Sequence, residues 1–254
     1  MEASANTHDI TKKHNMNKIT KVSSKSLKYS KNINTISEST KGAVVSIEEA
    51  VRLLLSLDQP KFKEGATLEL HLKLNINPTK SDQLVRSSVS LPHGTGKSVK
   101  IAAFVNAENV DLAKKLGCVR AGGEDLIEEI KASGKVDFDI AIAQPDMMKK
   151  LPAIARILGI AGVMPNPKTG TVSDDIESTI KTIMAGKVDY KNDKSGNIHI
   201  TCGKINSKFT AEQLVENINA ALASVEAAKP EVIKKKYILS AHLASTMSPS
   251  VKIK

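Results

Sequence analysis

Between Thr67 and Ile76 the chain alternates without a break. Leu68, Leu70, Leu72, Leu74 and Ile76 fall on one side, and Glu69, His71, Lys73 and Asn75 on the other. A period of two over this length dictates a strand that buries one face and leaves the other open. The apolar face demands a covering layer. Two segments have the pattern to supply it. Ser46-Ile-Glu-Glu49 is a capping box ahead of Ala50, Val51, Leu54 and Leu55, so a helix is expected there. Thr210 to Gln213 is a second capping box, opening a helix with Leu214, Ile218, Ala221, Leu222 and Val225 on one face. Asn197 to Cys202 and Tyr237 to Ala244 read as further strands. The turn cluster Asn192 to Gly196 predicts a hairpin between Val188–Lys191 and the strand that begins at Asn197.

The middle third has a different rhythm. Val99 to Val105 and Phe138 to Ala143 are apolar runs suited to buried strands. Short helices are expected over Asp111–Leu116 and Glu124–Ala132. A longer one should run from Pro145 toward Leu158, bent or restarted at Pro152. Strands alternating with helices define an α/β unit with a largely parallel sheet. With aromatics at 3% and no Trp, the core must be aliphatic, and base recognition by stacking platforms is disfavoured. Residues 1–42 are polar, with eight Lys against three acids, and read as a disordered basic arm.

Lys and Arg total 37 against 27 Asp and Glu, a balance that points to a polyanionic partner, nucleic acid above all. Catalytic and cofactor signatures are missing. His93-Gly-Thr-Gly-Lys97 lacks the upstream Gly of a phosphate loop, because Leu91 occupies that place. Ala121-Gly122-Gly123-Glu124 lacks the spacing of a dinucleotide fingerprint. No His pair has metal-ligand spacing, and Cys118 and Cys202 read as small buried residues of a reducing compartment. The reading therefore assigns no catalytic residue, no metal and no cofactor. No apolar run approaches a membrane span, and no secretory h-region is present. His71 and His199 fall on polar strand faces, where they either donate to phosphate or are simply solvated. Gly162 to Val172, with two Pro and two Gly, traces a rigid irregular path in which Lys168 is a natural phosphate contact.

Four blocks make the chain familiar. Ser81-Asp-Gln-Leu-Val-Arg86 through Leu91-Pro-His-Gly94-Thr-Gly-Lys97 resembles the signature of the L-one stalk protein family of the large ribosomal subunit. Met164-Pro-Asn-Pro-Lys168-Thr-Gly-Thr-Val172, Asn192-Asp-Lys194 and Ser245-Thr-Met-Ser-Pro249-Ser-Val251 are similar to three later blocks of the same family, in the same order. The resemblance covers roughly residues 44 to 254 and is closest to the bacterial or organellar branch.

The resemblance implies an α/β protein of two domains. One is a discontinuous α+β RNA-binding domain from both chain ends (residues 43–94 plus 187–254). The other is an inserted Rossmann-like α/β domain (residues 95–186), with crossings near Gly94 and Gly186. It implies a ribosomal protein that is not an enzyme and is monomeric off the ribosome. The implied partners are large-subunit ribosomal RNA, exit-site tRNA and, in many members, their own mRNA, with no membrane. The expected location is the cytoplasmic ribosome, with a mitochondrial ribosome as the alternative. Carried over residue by residue, the RNA face would hold Lys61, Phe62, Glu69 and His71, then Asp193, Lys194, Ser195 and His199, then Thr246, Met247 and Ser248, with Lys168 from the inserted unit. The loop after the last strand is expected to be solvated in the free protein. Ser248 stands where the family usually has Gly, so a positive φ there would be strained. Gly159-Ile-Ala-Gly162 lacks the family's cation.

Overall fold

A computed structural model describes residues 24–40, 42–60, 62, 65–205 and 209–254. The strand foreseen from the alternation is β1 (Ala66–Leu74), and its odd and even positions part as expected. Leu68, Leu70, Leu72 and Leu74 are each at most 2% exposed, while Thr67, Glu69, His71 and Lys73 are half-buried on the open side. Burying each leucine is worth about 1.5–3 kcal/mol, so a one-residue slip in register would forfeit the whole set.

α1 (Ser24–Thr40) precedes α2 (Ile47–Ser56). After β1 come β2 (Arg86–Ser90), β3 (Ile101–Phe104), α3 (Ala107–Lys115), β4 (Arg120–Gly122), α4 (Glu124–Ser133) and β5 (Ile140–Ala143). The chain continues through α5 (Ala155–Ala161), α6 (Ile176–Met184), β6 (Lys187–Lys191), β7 (Asn197–Ile205), α7 (Ala211–Ala227), β8 (Ile238–Ser245) and β9 (Val251–Lys252). A four-stranded antiparallel sheet has the order β7-β1-β8-β9, β2 and β6 form an antiparallel ribbon, and a parallel sheet has the order β4-β3-β5.

The buried apolar residues gather in three clusters. The largest draws on both chain ends: Leu54 of α2, the β1 leucines, Ile198 and Ile200 of β7, Leu214 and Ile218 of α7, and Leu243 of β8. The other two lie on opposite faces of the parallel sheet. Ala102 and Phe104 of β3 point into one, Ile101 and Ala103 into the other. A strand covered on both faces explains the unbroken apolar run in this segment. Both capping boxes are formed. Glu49 N–H donates to Ser46 Oγ at 3.3 Å, and Gln213 N–H to Thr210 Oγ1 at 3.3 Å.

Three local expectations are revised. Residues 24–40, read as part of an unstructured arm, form α1. Ile36 is buried in the large cluster, and Asn32 Nδ2 donates to the Asp58 carbonyl at 3.2 Å. One apolar side chain and one buried amide thus anchor a helix that its polar composition hides; residues 1–23 lie outside the described residues. The helix expected from Pro145 is instead two short 3-10 turns, Met147–Lys149 and Leu151–Ile154, before α5. Pro152 sits in the first turn of the second piece, where its missing N–H costs least. The expected hairpin is a turn without a shared ladder, because β6 pairs with β2 whereas β7 pairs with β1.

The segments flanking the parallel-sheet unit meet at Gly94 and Gly186. Leu91 N–H donates to the Gly186 carbonyl at 3.2 Å, and a Cβ on Gly186 would lie 2.4 Å from Gly94 Cα. With φ of +111° at Gly186, no other residue fits this approach. Asn217 of α7, fully buried, secures the junction. Its Nδ2 donates to the carbonyls of Gly94 (3.0 Å) and Cys202 (2.8 Å), and its Oδ1 accepts from His93 N–H at 3.1 Å.

Candidate nucleic-acid interface

The open face of the antiparallel sheet and the two turns at its ends carry most of the residues singled out in the sequence. Glu69 and His71 stand next to each other along β1, and His199 stands opposite His71 on β7. The two imidazoles share an Nδ1···Nδ1 hydrogen bond of 2.8 Å and meet edge-on, with ring centroids 5.0 Å apart. Glu69 Oε2 lies 3.8 Å from His71 Nε2, and Asp193 Oδ2 lies 3.9 Å from His199 Nε2. Partial burial, followed by the neighbouring His199, holds the His71 imidazole below its ordinary pKa; the Glu69 carboxylate opposes this, and His242 reinforces it.

A turn closes each end of this strip. At the Lys73 end, Asp193 Oδ1 accepts from Ser195 N–H (2.8 Å) and Asn197 N–H (2.7 Å), and its Oδ2 from Asn197 Nδ2 (3.0 Å). These bonds, the one from Asn197 N–H foremost, hold the Asp193 carboxyl below the usual range. The carboxylate therefore builds the turn, and Lys194 and Ser195 are left exposed at its tip. Lys73 Nζ donates to the Ser195 carbonyl.

At the other end, Ser245 to Ser248 form a turn in which Ser248 N–H donates to the Ser245 carbonyl at 2.9 Å. Met247 has φ of +62°, the single positive value for a non-glycine among the described residues, and its side chain is 59% exposed. The left-handed residue is thus Met247 and not Ser248, which corrects the expectation of strain at Ser248. The Ser248 hydroxyl is well used, because its Oγ accepts from Ser245 N–H at 3.0 Å and donates to the Pro249 carbonyl at 3.2 Å. Thr246 is not merely solvated either: its Oγ1 accepts from Thr67 N–H at 2.9 Å. Phe62 is exposed in the connector ahead of β1, and Gln59 of that connector accepts from Ser245 Oγ at 3.0 Å. Lys61 lies outside the described residues.

The two turns are separated by the six steps from Thr67 to Lys73, about 20 Å of strand. Lys168 is not part of this strip. It sits on the 3-10 turn Pro167–Thr169, held by its N–H to Asn166 Oδ1 at 2.8 Å, and this turn packs against β2. Between the strip and the parallel-sheet unit lies a cavity of about 1050 Å³, whose lining includes Glu69, Arg86, Lys97, Lys187 and Lys204.

Open-face residues that the sequence did not single out include Ser240 and His242 of β8 and Lys252 of β9. The signal was available for β8, where Ser240, His242 and Ala244 alternate with buried Ala241, Leu243 and Ser245. Cys118 and Cys202 are free and buried as expected, and burial pushes the Cys202 thiol up to about 12. Among the described residues no helix is long and apolar enough to cross a membrane.

A sheet with one polar face that bears Lys73 and Lys252, flanked by exposed turns and backed by helices, fits a nucleic-acid-binding class of protein. Residues 54–249 match the ribosomal protein L1p/L10e family, and the chain belongs to that family, one of ribosomal proteins and not of enzymes. It is 45% identical over 208 residues to the large ribosomal subunit protein uL1 of Kosmotoga olearia, covering 82% of this chain and 88% of that one. It is 44% identical to uL1c of Trieres chinensis (84% and 91% covered). Identity to uL1 of Prochlorococcus marinus is 42% over 226 residues, covering 89% and 94%.

Proposed function

We propose that this chain is the uL1 component of a large ribosomal subunit and that it holds the ribosomal RNA stalk beside the tRNA exit site. The observation that carries this reading is the open face of β1, β7 and β8, bounded by the Asp193–Ser195 and Thr246–Ser248 turns. Together they present hydroxyls, imidazoles, lysines and the exposed Phe62 and Met247 to a folded RNA. Such a surface suits recognition by shape, phosphate and ribose hydroxyl. The separate clusters support a division into an RNA-binding domain from both chain ends and an inserted α/β domain, joined at Gly94 and Gly186. In this division Lys168 rides on the inserted domain, on a turn packed against β2, and would add a phosphate contact outside the main face. Stalk movement would then assist release of deacylated tRNA, and the same face would hold a stalk-like fold in the protein's own messenger. The membership of the family in ribosomes makes the ribosomal site the primary one.

Sedimentation of the tagged chain with large subunits, together with titration of a stalk RNA fragment at rising salt, tests the proposal. Co-sedimentation and an affinity that weakens with salt are expected. Binding that stays flat with salt, or a chain that remains at the top of the gradient, contradicts it.

A further inference from the structure

The registers of the four-stranded sheet place His199 opposite His71, His71 opposite His242, and His242 opposite Lys252. One row therefore crosses β7, β1, β8 and β9 on the open face, about 14 Å from end to end at ordinary strand spacing. Half of this row, His242 and Lys252, is absent from the residues that the family resemblance carries over to the RNA face. Imidazoles change charge near physiological pH, so the row can pass from one cation to several without any movement of the backbone.

The charged neighbours are few. On β1, Glu69 and Lys73 flank His71 on the same face; from the turn before β7, Asp193 faces His199, with Lys194 beyond it. From β9 only Lys252 faces His242, and Lys204 lies at the far end of β7, opposite Thr67. The Nδ1···Nδ1 contact between His71 and His199 requires one ring to donate and the other to accept. While it lasts, the pair can hold one extra proton and no more. In the free protein that proton is disfavoured, since burial and the adjacent rings hold the His71 value down. An anion laid across the row reverses the balance. Among the described residues no His, Cys, Asp and Glu group has the geometry to hold a metal ion, so proton binding is the chemistry this row offers.

We propose that His199, His71, His242 and Lys252 form a proton-linked track for the RNA backbone, on which phosphate binding draws a proton onto the imidazoles and RNA affinity rises as pH falls from 8 to 6. This rests on the RNA-binding reading above. The phosphate charge stabilises the imidazolium, the imidazolium N–H donates to phosphate or ribose oxygen, and Lys252 supplies a pH-independent cation at the end of the row.

The test uses the full chain and a stalk RNA fragment at fixed ionic strength. Affinity should tighten about fivefold between pH 8 and pH 6, below the limit of about tenfold per pH unit for one linked proton. The triple variant H71Q/H199Q/H242Q, checked for folding at pH 8, should bind more weakly at every pH and lose the pH dependence, its affinity ratio between pH 6 and pH 8 falling to about one. The single variant H242Q should reduce it, whereas K252Q should weaken binding equally at both pH values. Imidazole NMR titrations of the unmutated protein give an independent readout: the His71 midpoint should move up when RNA is added. A flat pH profile in the unmutated protein, a profile that survives in the triple variant, or an unmoved His71 midpoint overturns the proton-linked track while leaving RNA binding intact. Absence of RNA binding at every pH overturns the RNA-binding reading itself.

Discussion

Thr246 Oγ1 accepts a hydrogen bond from Thr67 N–H at 2.9 Å, joining residues 179 positions apart at the mouth of the β1–β8 ladder. The Thr246 N–H in turn donates to the Thr67 carbonyl at 3.0 Å. A residue expected to serve RNA alone therefore also seals the sheet. Thr246→Val keeps the size and removes the acceptor, leaving the half-buried Thr67 N–H with water as its remaining partner. Stability should fall by about 0.5–1.5 kcal/mol, read as a lower urea midpoint with an unchanged m-value. RNA affinity measured on the folded protein should fall as well. A variant with full RNA affinity and reduced stability would confine Thr246 to its structural task.

Met247 poses the opposite case. Its left-handed backbone carries a conformational cost, and its exposed side chain returns little packing in the free protein. Met247→Gly should raise the melting temperature, with a gain of up to about 1 kcal/mol, and should weaken RNA binding. Unchanged affinity would show that the side chain does not touch RNA.

Asn217 should be among the costlier residues to replace outside the leucine core. Asn217→Ala strips partners from His93 N–H and from the Gly94 and Cys202 carbonyls. A loss of about 3 kcal/mol in denaturant unfolding is expected. The Gly94–Gly186 junction should loosen as well, seen as faster amide exchange at Leu91, His93 and Gly94.

The pH dependence of stability has a definite sign. His71 has its pKa lowered in the folded protein, chiefly by burial, so the unfolded chain binds the proton more readily. Its contribution is intact above the ordinary histidine value of about 6.5 and is lost progressively as pH falls below that value and through the lowered folded one. Thermal melts should show a decline on acidification toward pH 5 that His71→Gln diminishes. Bound RNA is expected to act against it, since it stabilises the charged row.

Much of this was legible in the chain. The leucines at 68, 70, 72 and 74 define β1 and its open face because side-chain direction in a strand follows position alone. Both capping boxes mark their helices because each is a contact within four residues. The identity of the family rests on local blocks such as Ser81–Lys97 and Met164–Val172, which a linear reading captures whole. Tertiary structure decided the rest, wherever the relevant partner is distant along the chain. Periodicity assigns His71, His199 and His242 to strands, but only strand order and register align them in one row. A turn signal at Asn192–Gly196 says that the chain reverses, not that β6 will turn to β2 while β7 joins β1. Helix α1 could not be read because its anchoring depends on Ile36 and Asn32 meeting a surface made later in the chain. The sheet-closing role of Thr246 depends on Thr67 in the same way: hydrogen-bond partners are set by three-dimensional proximity, and a sequence gives each side chain its capacity to bond without naming its partner.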